Sequence, residues 1–237
     1  MTIFRNNALK QNSITTPTAS ASVSAERVVY SNQHIEKIRS LLNTQEEANI
    51  RMAFQIVKGL GIPKELHADL TDSFFKMMVC LEEEVVAPLK NLKKLELFAL
   101  DQLKSLPESV GQLSQLKMLN LCANTLESIP ESIGKLQQLQ YFNLDSNQLR
   151  VLPHSIGKLT QLEWLELGQN KLEKLPKSIG QLQNLRYLNL SHNQLRDLPI
   201  ALSKLENLTE LYLEGNPVSR SLIKHLQGQM PYTRIIA

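Results

Sequence analysis

No stretch of this sequence approaches the ~18 consecutive apolar residues that cross a bilayer, and the first thirty residues hold no apolar segment of the kind that directs secretion. The expectation is a cytoplasmic chain with no membrane partner. Cysteine is nearly absent: Cys80 and Cys122 stand far apart without CxxC or Cys/His ligand spacing, which excludes a disulfide framework and a zinc site. His34, His67, His154, His192 and His225 share no ligand spacing, and the Gly59 and Gly61 pair lacks the rest of a phosphate-binding loop. Lysine and arginine form no run, and a net charge of +3 is too small to argue for nucleic acid. Glu82, Glu83 and Glu84 are adjacent, hence splayed around a helix rather than paired across a cleft for acid–base work. These absences leave no recognisable catalytic apparatus, so no enzyme activity, cofactor, metal or small-molecule substrate is expected. What is present, 42% hydrophobic and 21% charged, is ordinary soluble composition with enough apolar side chains for a sizeable core.

The sequence does have a clock. Asn124, Asn147, Asn170, Asn193 and Asn216 follow one another at intervals of 23, as do Leu116, Leu139, Leu162, Leu185 and Leu208. Pro107, Pro130, Pro153, Pro176 and Pro199 keep the same time, and the first four are followed by SVGQL, SIGKL, SIGKL and SIGQL. Within one period Leu165 and Leu167 alternate with Trp164, Glu166 and Gly168, so each repeat supplies a short strand with one face in and one face out. Leu172, Leu175, Ile179 and Leu182 fold back over the same core, and a single coil cannot bury them without its neighbours. The asparagines read as structural, because an amide can both donate to and accept from the turn backbone of its own and adjoining coils.

The frame LxxLxLxxNxL, filled by Leu162, Leu165, Leu167, Asn170 and Leu172, resembles that of the leucine-rich-repeat family. It recurs five times in register over roughly half the chain, and the closing LPxSIGxLxxL is similar to the 23-residue class of intracellular signalling scaffolds and many bacterial repeat proteins. The resemblance implies an α/β fold: a right-handed leucine-rich-repeat solenoid, or horseshoe, with a parallel concave sheet. It also implies binding of another macromolecule, most naturally a protein, on the concave face. A secreted bacterial effector or toxin-related factor is the alternative within the same family. Some bacterial effector ligases join such repeats to a catalytic cysteine but keep it in a separate domain, so Cys122 reads as inert.

The ends depart from the frame, as solenoid caps must. Residues 1–30, Ser/Thr/Ala-rich at 13–24, read as a disordered tail. Residues 31–90 read as an N-terminal α-helical cap. Ile35, Ile38, Leu41 and Leu42 make one stripe; a capping box of Thr44 and Glu47 starts a second, carried by Ile50, Ala53, Val57 and Leu60 and stopped by Gly61 and Pro63; a third includes Leu70, Phe74, Met77, Met78 and Leu81. Val86, Leu89 and Leu92 reproduce the spacing of Ile133, Leu136 and Leu139, half a repeat joining cap to solenoid. The repeats occupy 91–218, about six of them, with Leu100 in the first asparagine's place and Phe98 beside it, both expected against the helices. Residues 219–237 read as a C-terminal cap, a helix and a last strand.

Strand side chains that point away from the core lie on the concave face, and the repeat does not dictate them. By strand they are Lys94, Glu96, Phe98; Met118, Asn120, Cys122; Tyr141, Asn143, Asp145; Trp164, Glu166, Gly168; Tyr187, Asn189, Ser191; Glu210, Tyr212, Glu214. Met118, Tyr141, Trp164 and Tyr187 therefore form a row at about 4.8 Å spacing. Tyrosine and tryptophan concentrate at binding hot spots, although aromatic neighbours also stack and steady a sheet with no ligand. Five carboxylates against Lys94 put this face near −4, while the whole chain is +3. The expected partner site is Met118, Tyr141, Asp145, Trp164, Glu166, Tyr187, Asn189, Glu210, Tyr212 and Glu214, facing a basic or apolar protein segment.

Overall fold

The computed structural model of the chain describes residues 31–237 except 45, 61, 63, 71–73 and 100–102, with backbone alone at 59, 60, 74 and 75. The readings on the tail before residue 31, on Leu100, on the side chains of Leu60 and Phe74, and on Gly61 with Pro63 as a helix stop lie outside the described residues.

Seven strands of three residues each form one sheet: β1 (Lys94–Glu96), β2 (Met118–Asn120), β3 (Tyr141–Asn143), β4 (Trp164–Glu166), β5 (Tyr187–Asn189), β6 (Glu210–Tyr212) and β7 (Arg234–Ile236). They lie in chain order, every pair parallel. The fold is thus an α/β leucine-rich-repeat solenoid with an open sheet. A parallel pair needs a crossover, and here each of the five crossovers from β1 to β6 carries a five-residue 3₁₀ segment, such as His154–Lys158 or Lys177–Gln181. Proline precedes all five of these with φ between −70° and −65°, the value its ring imposes, so the chain leaves the asparagine turn already aimed into the 3₁₀ segment.

The leucines of successive coils make one contiguous core from Ile38 to Met230. The amides of Asn124, Asn147, Asn170 and Asn193 are buried within it. Asn170 Nδ2 donates to Leu144 O at 2.9 Å, Leu167 O at 3.2 Å and Gly168 O at 3.0 Å, while its Oδ1 accepts from Leu149 N at 3.0 Å. One side chain therefore ties adjoining coils together, in the way a donor–acceptor pair buried away from water requires. Just before each asparagine the backbone turns through positive φ, at Ala123, Ser146, Gln169, His192 and Gly215; only the last is glycine, so most coils accept the cost of a side chain in the left-handed region.

The SIG motif is explained by steric space. A Cβ on Gly157 would meet Ser178 O at 2.4 Å and Ser178 Cβ at 2.8 Å, and one on Gly180 would meet Ala201 O at 2.4 Å. Neighbouring coils touch backbone to backbone here. The hydroxyls of Ser132, Ser155 and Ser178 are buried without a partner among the described residues, and alanine stands in the same place at Ala201. The serines are there for their smallness.

Before the sheet lie α1 (Asn32–Leu42), α2 (Glu47–Leu60) and α3 (Phe74–Glu82). The capping box expected at Thr44 and Glu47 does not form: Thr44 donates its hydroxyl backward to Leu41 O at 2.9 Å, closing α1, and α2 starts at Glu47 itself. Phe98, expected against the helices, is instead 47% exposed, because the strand alternation turns it to the outer face. The run Glu82 to Glu84 spans a helix end, and Arg51 gathers two of its members, Glu82 at 2.8 Å and Glu83 at 3.8 Å. Ser109, the first of the serine series, does have a partner, donating its hydroxyl to Leu81 O of α3. At the other end α4 (Arg220–Gln229), N-capped by Ser219, precedes β7, which closes on β6 through Leu213 N to Ile236 O at 2.7 Å.

Candidate functional site

Register fixes the outer face of the sheet. Lys94, Met118, Tyr141, Trp164, Tyr187, Glu210 and Arg234 are consecutive partners in one row, and Glu96, Asn120, Asn143, Glu166, Asn189, Tyr212 and Ile236 in the next. The predicted site residues Met118, Tyr141, Trp164, Tyr187 and Glu210 thus fall in the first row, and Glu166, Asn189 and Tyr212 in the second. Asp145 and Glu214 occupy a third position just beyond their strands, with Cys122, Gly168 and Ser191. Arg234 was missed: alternation along the last strand places it in the row beside Glu210, and it brings the face from −4 to −3.

The aromatic side chains stack along the row. Trp164 and Tyr187 lie with ring centroids 3.7 Å apart and planes 4° from parallel; Tyr141 follows at 6.4 Å and 21°, and Tyr212 leans on Tyr187 at 5.3 Å and 41°. Strands 4.8 Å apart hold flat rings in this arrangement because offset stacking is the favoured contact at that separation. Their faces are turned to one another and their edges to solvent, with Trp164 the most open at 38% exposure.

A hydrogen-bonded net beside the row holds the polar side chains in place. Glu166 accepts from the Trp164 indole N–H at 2.9 Å with one oxygen and from Asn189 Nδ2 at 2.9 Å with the other. Asn189 Oδ1 accepts from the Ser191 amide and hydroxyl; Asn143 donates to the Tyr141 hydroxyl at 3.3 Å and accepts from Asp145 N at 2.9 Å; Tyr212 donates its hydroxyl to Glu210 at 2.7 Å. Gly168, expected to be exposed, is covered, because a Cβ there would lie 2.5 Å from Asp145 Oδ1 and 3.0 Å from Asn189 Nδ2. The neighbouring coils lean their polar side chains over the one position that offers no side chain of its own.

The centre of the face is electronegative. Burial pushes the Tyr187 phenol up, and Glu166, Tyr212, Glu210 and Asp145 push it further. Tyr141 is raised by burial, with Glu166 and Asp145 contributing, and Tyr212 chiefly by the hydrogen bond it gives Glu210. Cys122 is likewise raised by burial and by Asp145, which holds it as a thiol and opposes nucleophilic reactivity. Among the described residues no group of three metal-ligating side chains occurs, and no helix is long and apolar enough to cross a membrane. A shallow hollow of about 390 Å³ lies at the strand beginnings, where Gln140, Glu163, Arg186 and Thr209 flank Tyr141, Trp164 and Tyr187. A larger one, about 620 Å³, lies away from the sheet around Ile129, Val151, Leu175 and Pro176.

Stacked coils, one strand and one buried asparagine per turn, and a sheet face free of the repeat's own constraints define a repeat protein whose variable surface is the sheet. This chain is a leucine-rich-repeat protein. The family model described as leucine rich repeat matches residues 160–218, and that described as leucine-rich repeat region matches residues 83–171. No curated protein matches the chain. Among solved structures, a leucine-rich-repeat protein of Leptospira interrogans is 32% identical over 64% of this chain and 50% of its own, with a TM-score of 0.46. The leucine-rich-repeat ectodomain of the plant membrane receptor kinase GASSHO1/SCHENGEN3 from Arabidopsis thaliana, solved in complex with CASPARIAN STRIP INTEGRITY FACTOR 2, is 38% identical over 56% of this chain and 17% of its own, with a TM-score of 0.52. An internalin from Listeria monocytogenes shares the fold, at 21% identity over 64% of this chain and 43% of its own and a TM-score of 0.51. The chain spans half or less of the length of each.

Proposed function

We propose that this protein is a cytoplasmic, non-enzymatic interaction module or scaffold that holds a protein partner across the outer face of its sheet. The helices before β1 and the segment from α4 to β7 serve it as caps. The leucine-rich-repeat fold is commonly a protein-interaction module, and a similar ectodomain was solved with a partner bound. The observation that carries the reading is the Tyr141, Trp164, Tyr187 stack. Side chains already immobilised on one another lose little rotamer freedom when a partner covers them, and that loss, about 0.5–1.5 kcal/mol per ordered side chain, is a main cost of association. The Glu166 and Asn189 hydrogen bonds fix the polar border in the same way. A face of seven strands, six intervals of about 4.8 Å, runs roughly 29 Å, the scale of one side of a standard interface of ~800 Å².

The test is capture of partners from the native cell by crosslinking, with Tyr141, Trp164 and Tyr187 replaced together by alanine. Loss of the captured protein with an unchanged circular dichroism spectrum is expected; undiminished capture refutes the reading.

A further inference from the structure

Ring edges and carboxylates together specify what this face accepts. Because Trp164 and Tyr187 turn their faces to each other, a partner meets mostly ring edges, which offer apolar contact and carry the positive part of the ring quadrupole. Three donors near the centre are already committed: the Trp164 indole and the Asn189 amide to Glu166, the Tyr212 hydroxyl to Glu210. Acceptors remain. Asp145 Oδ1 receives no hydrogen bond among the described residues, its Oδ2 taking the Ser146 hydroxyl at 2.7 Å, and Glu166 is held only by neutral N–H groups. The face's own cations stand at its two ends, Lys94 paired with Glu96 at 3.1 Å and Arg234 in the row beside Glu210, while Asp145 and Glu166, −2 together, lie between them.

Resting on the reading of this face as the partner surface, we propose that the segment it receives is extended and basic, anchored by an arginine whose guanidinium reaches Asp145 and Glu166. Arginine meets both demands with one side chain. Its methylene stem lies along the edges of Trp164 and Tyr187, and its planar fork supplies the donors that two carboxylates on neighbouring strands lack. The whole row accommodates roughly nine residues at ~3.3 Å each, and charge complementarity steers a basic segment to an acidic face on an otherwise basic chain.

The probe is a fluorescein-labelled nonapeptide of alternating arginine and leucine, read by fluorescence anisotropy, beside the same peptide with citrulline or lysine in place of arginine. The arginine peptide is expected to bind at least tenfold more tightly than either. D145N with E166Q is expected to weaken it tenfold or more, and E96Q to leave it within twofold. Equal binding of the citrulline or lysine peptide overturns the proposal. So does a loss at Glu96 equal to that at Asp145 and Glu166, since diffuse attraction then suffices. If the aromatic triple variant loses its native partner while the arginine peptide ignores Asp145 and Glu166, the arginine anchor fails and the face reading stands; if the triple variant keeps its partner, both fail.

Discussion

Replacing Asn147 and Asn170 together is expected to cost more than the two single replacements combined. Leu144 O accepts from Asn147 Nδ2 at 3.1 Å and from Asn170 Nδ2 at 2.9 Å, so either asparagine alone still satisfies it. Asn170→Ala strands the Leu149 N–H, and Asn147→Ala strands the Leu126 N–H, donors held at 3.0 Å in each case. A buried donor left unpaired costs about 1–3 kcal/mol, so each single variant is expected to lose about 2–3 kcal/mol. The double variant also leaves Leu144 O without an amide, adding roughly 1 kcal/mol or more of coupling, inside the range found for residues sharing a partner. Asn124 and Asn193 provide the control. The carbonyls of Leu97, Leu121 and Cys122 serve the first, and those of Leu167, Leu190 and Ser191 the second, so their double variant is expected to add within about 0.5 kcal/mol. Urea unfolding followed by circular dichroism measures all six variants, with an unchanged denaturant slope as the condition for comparison. If the adjacent pair adds as simply as the distant pair, the shared carbonyl is not what couples the coils.

Gly157→Ala is expected to destabilise by about 1–3 kcal/mol as an overpacking substitution, because its Cβ meets Ser178 O at 2.4 Å, whereas Ser178→Ala is expected to be neutral or stabilising, its hydroxyl being buried and unpartnered; thermal melts of the two decide it. The raised phenols of Tyr141, Tyr187 and Tyr212 are expected to stay protonated in the folded protein above pH 10, the model-peptide value, so absorbance at 295 nm rises late. Their contribution to stability is full below that pH and declines as pH climbs through their folded values; a folded-state titration centred at pH 10 for all three refutes the electronegative centre.

Period and alternation carried nearly all of the solenoid. Leu165, Leu167 and Asn170 are dictated by a coil that must bury one edge and close one turn, so a single sequence suffices to place them and the row from Met118 to Glu210. Thr44 and Glu47 have the letters of a capping box, yet Thr44 finds Leu41 O closer to hand, and nothing in the letters separates the two. Phe98 went astray because its apolarity suggested burial while its parity said otherwise, and parity won. Arg234 follows from the same parity, applied to a last strand that carries no repeat signature. Glu166 held between an indole and an amide, and Asp145 leaning over Gly168, depend on side-chain rotamers of coils 23 residues apart, a distance at which sequence gives adjacency but not direction.

The in-register parallel sheet makes this surface editable by length. Since Tyr141, Trp164 and Tyr187 occupy the same place in successive 23-residue periods, excising residues 142–164 removes one coil and brings Tyr141 next to Tyr187 with leucine, asparagine and proline still in phase on either side. Duplicating the same span inserts a second tryptophan into the stack. A lineage that gains or loses whole coils thereby changes the reach and the lettering of its face in one step, without composing a new fold around it.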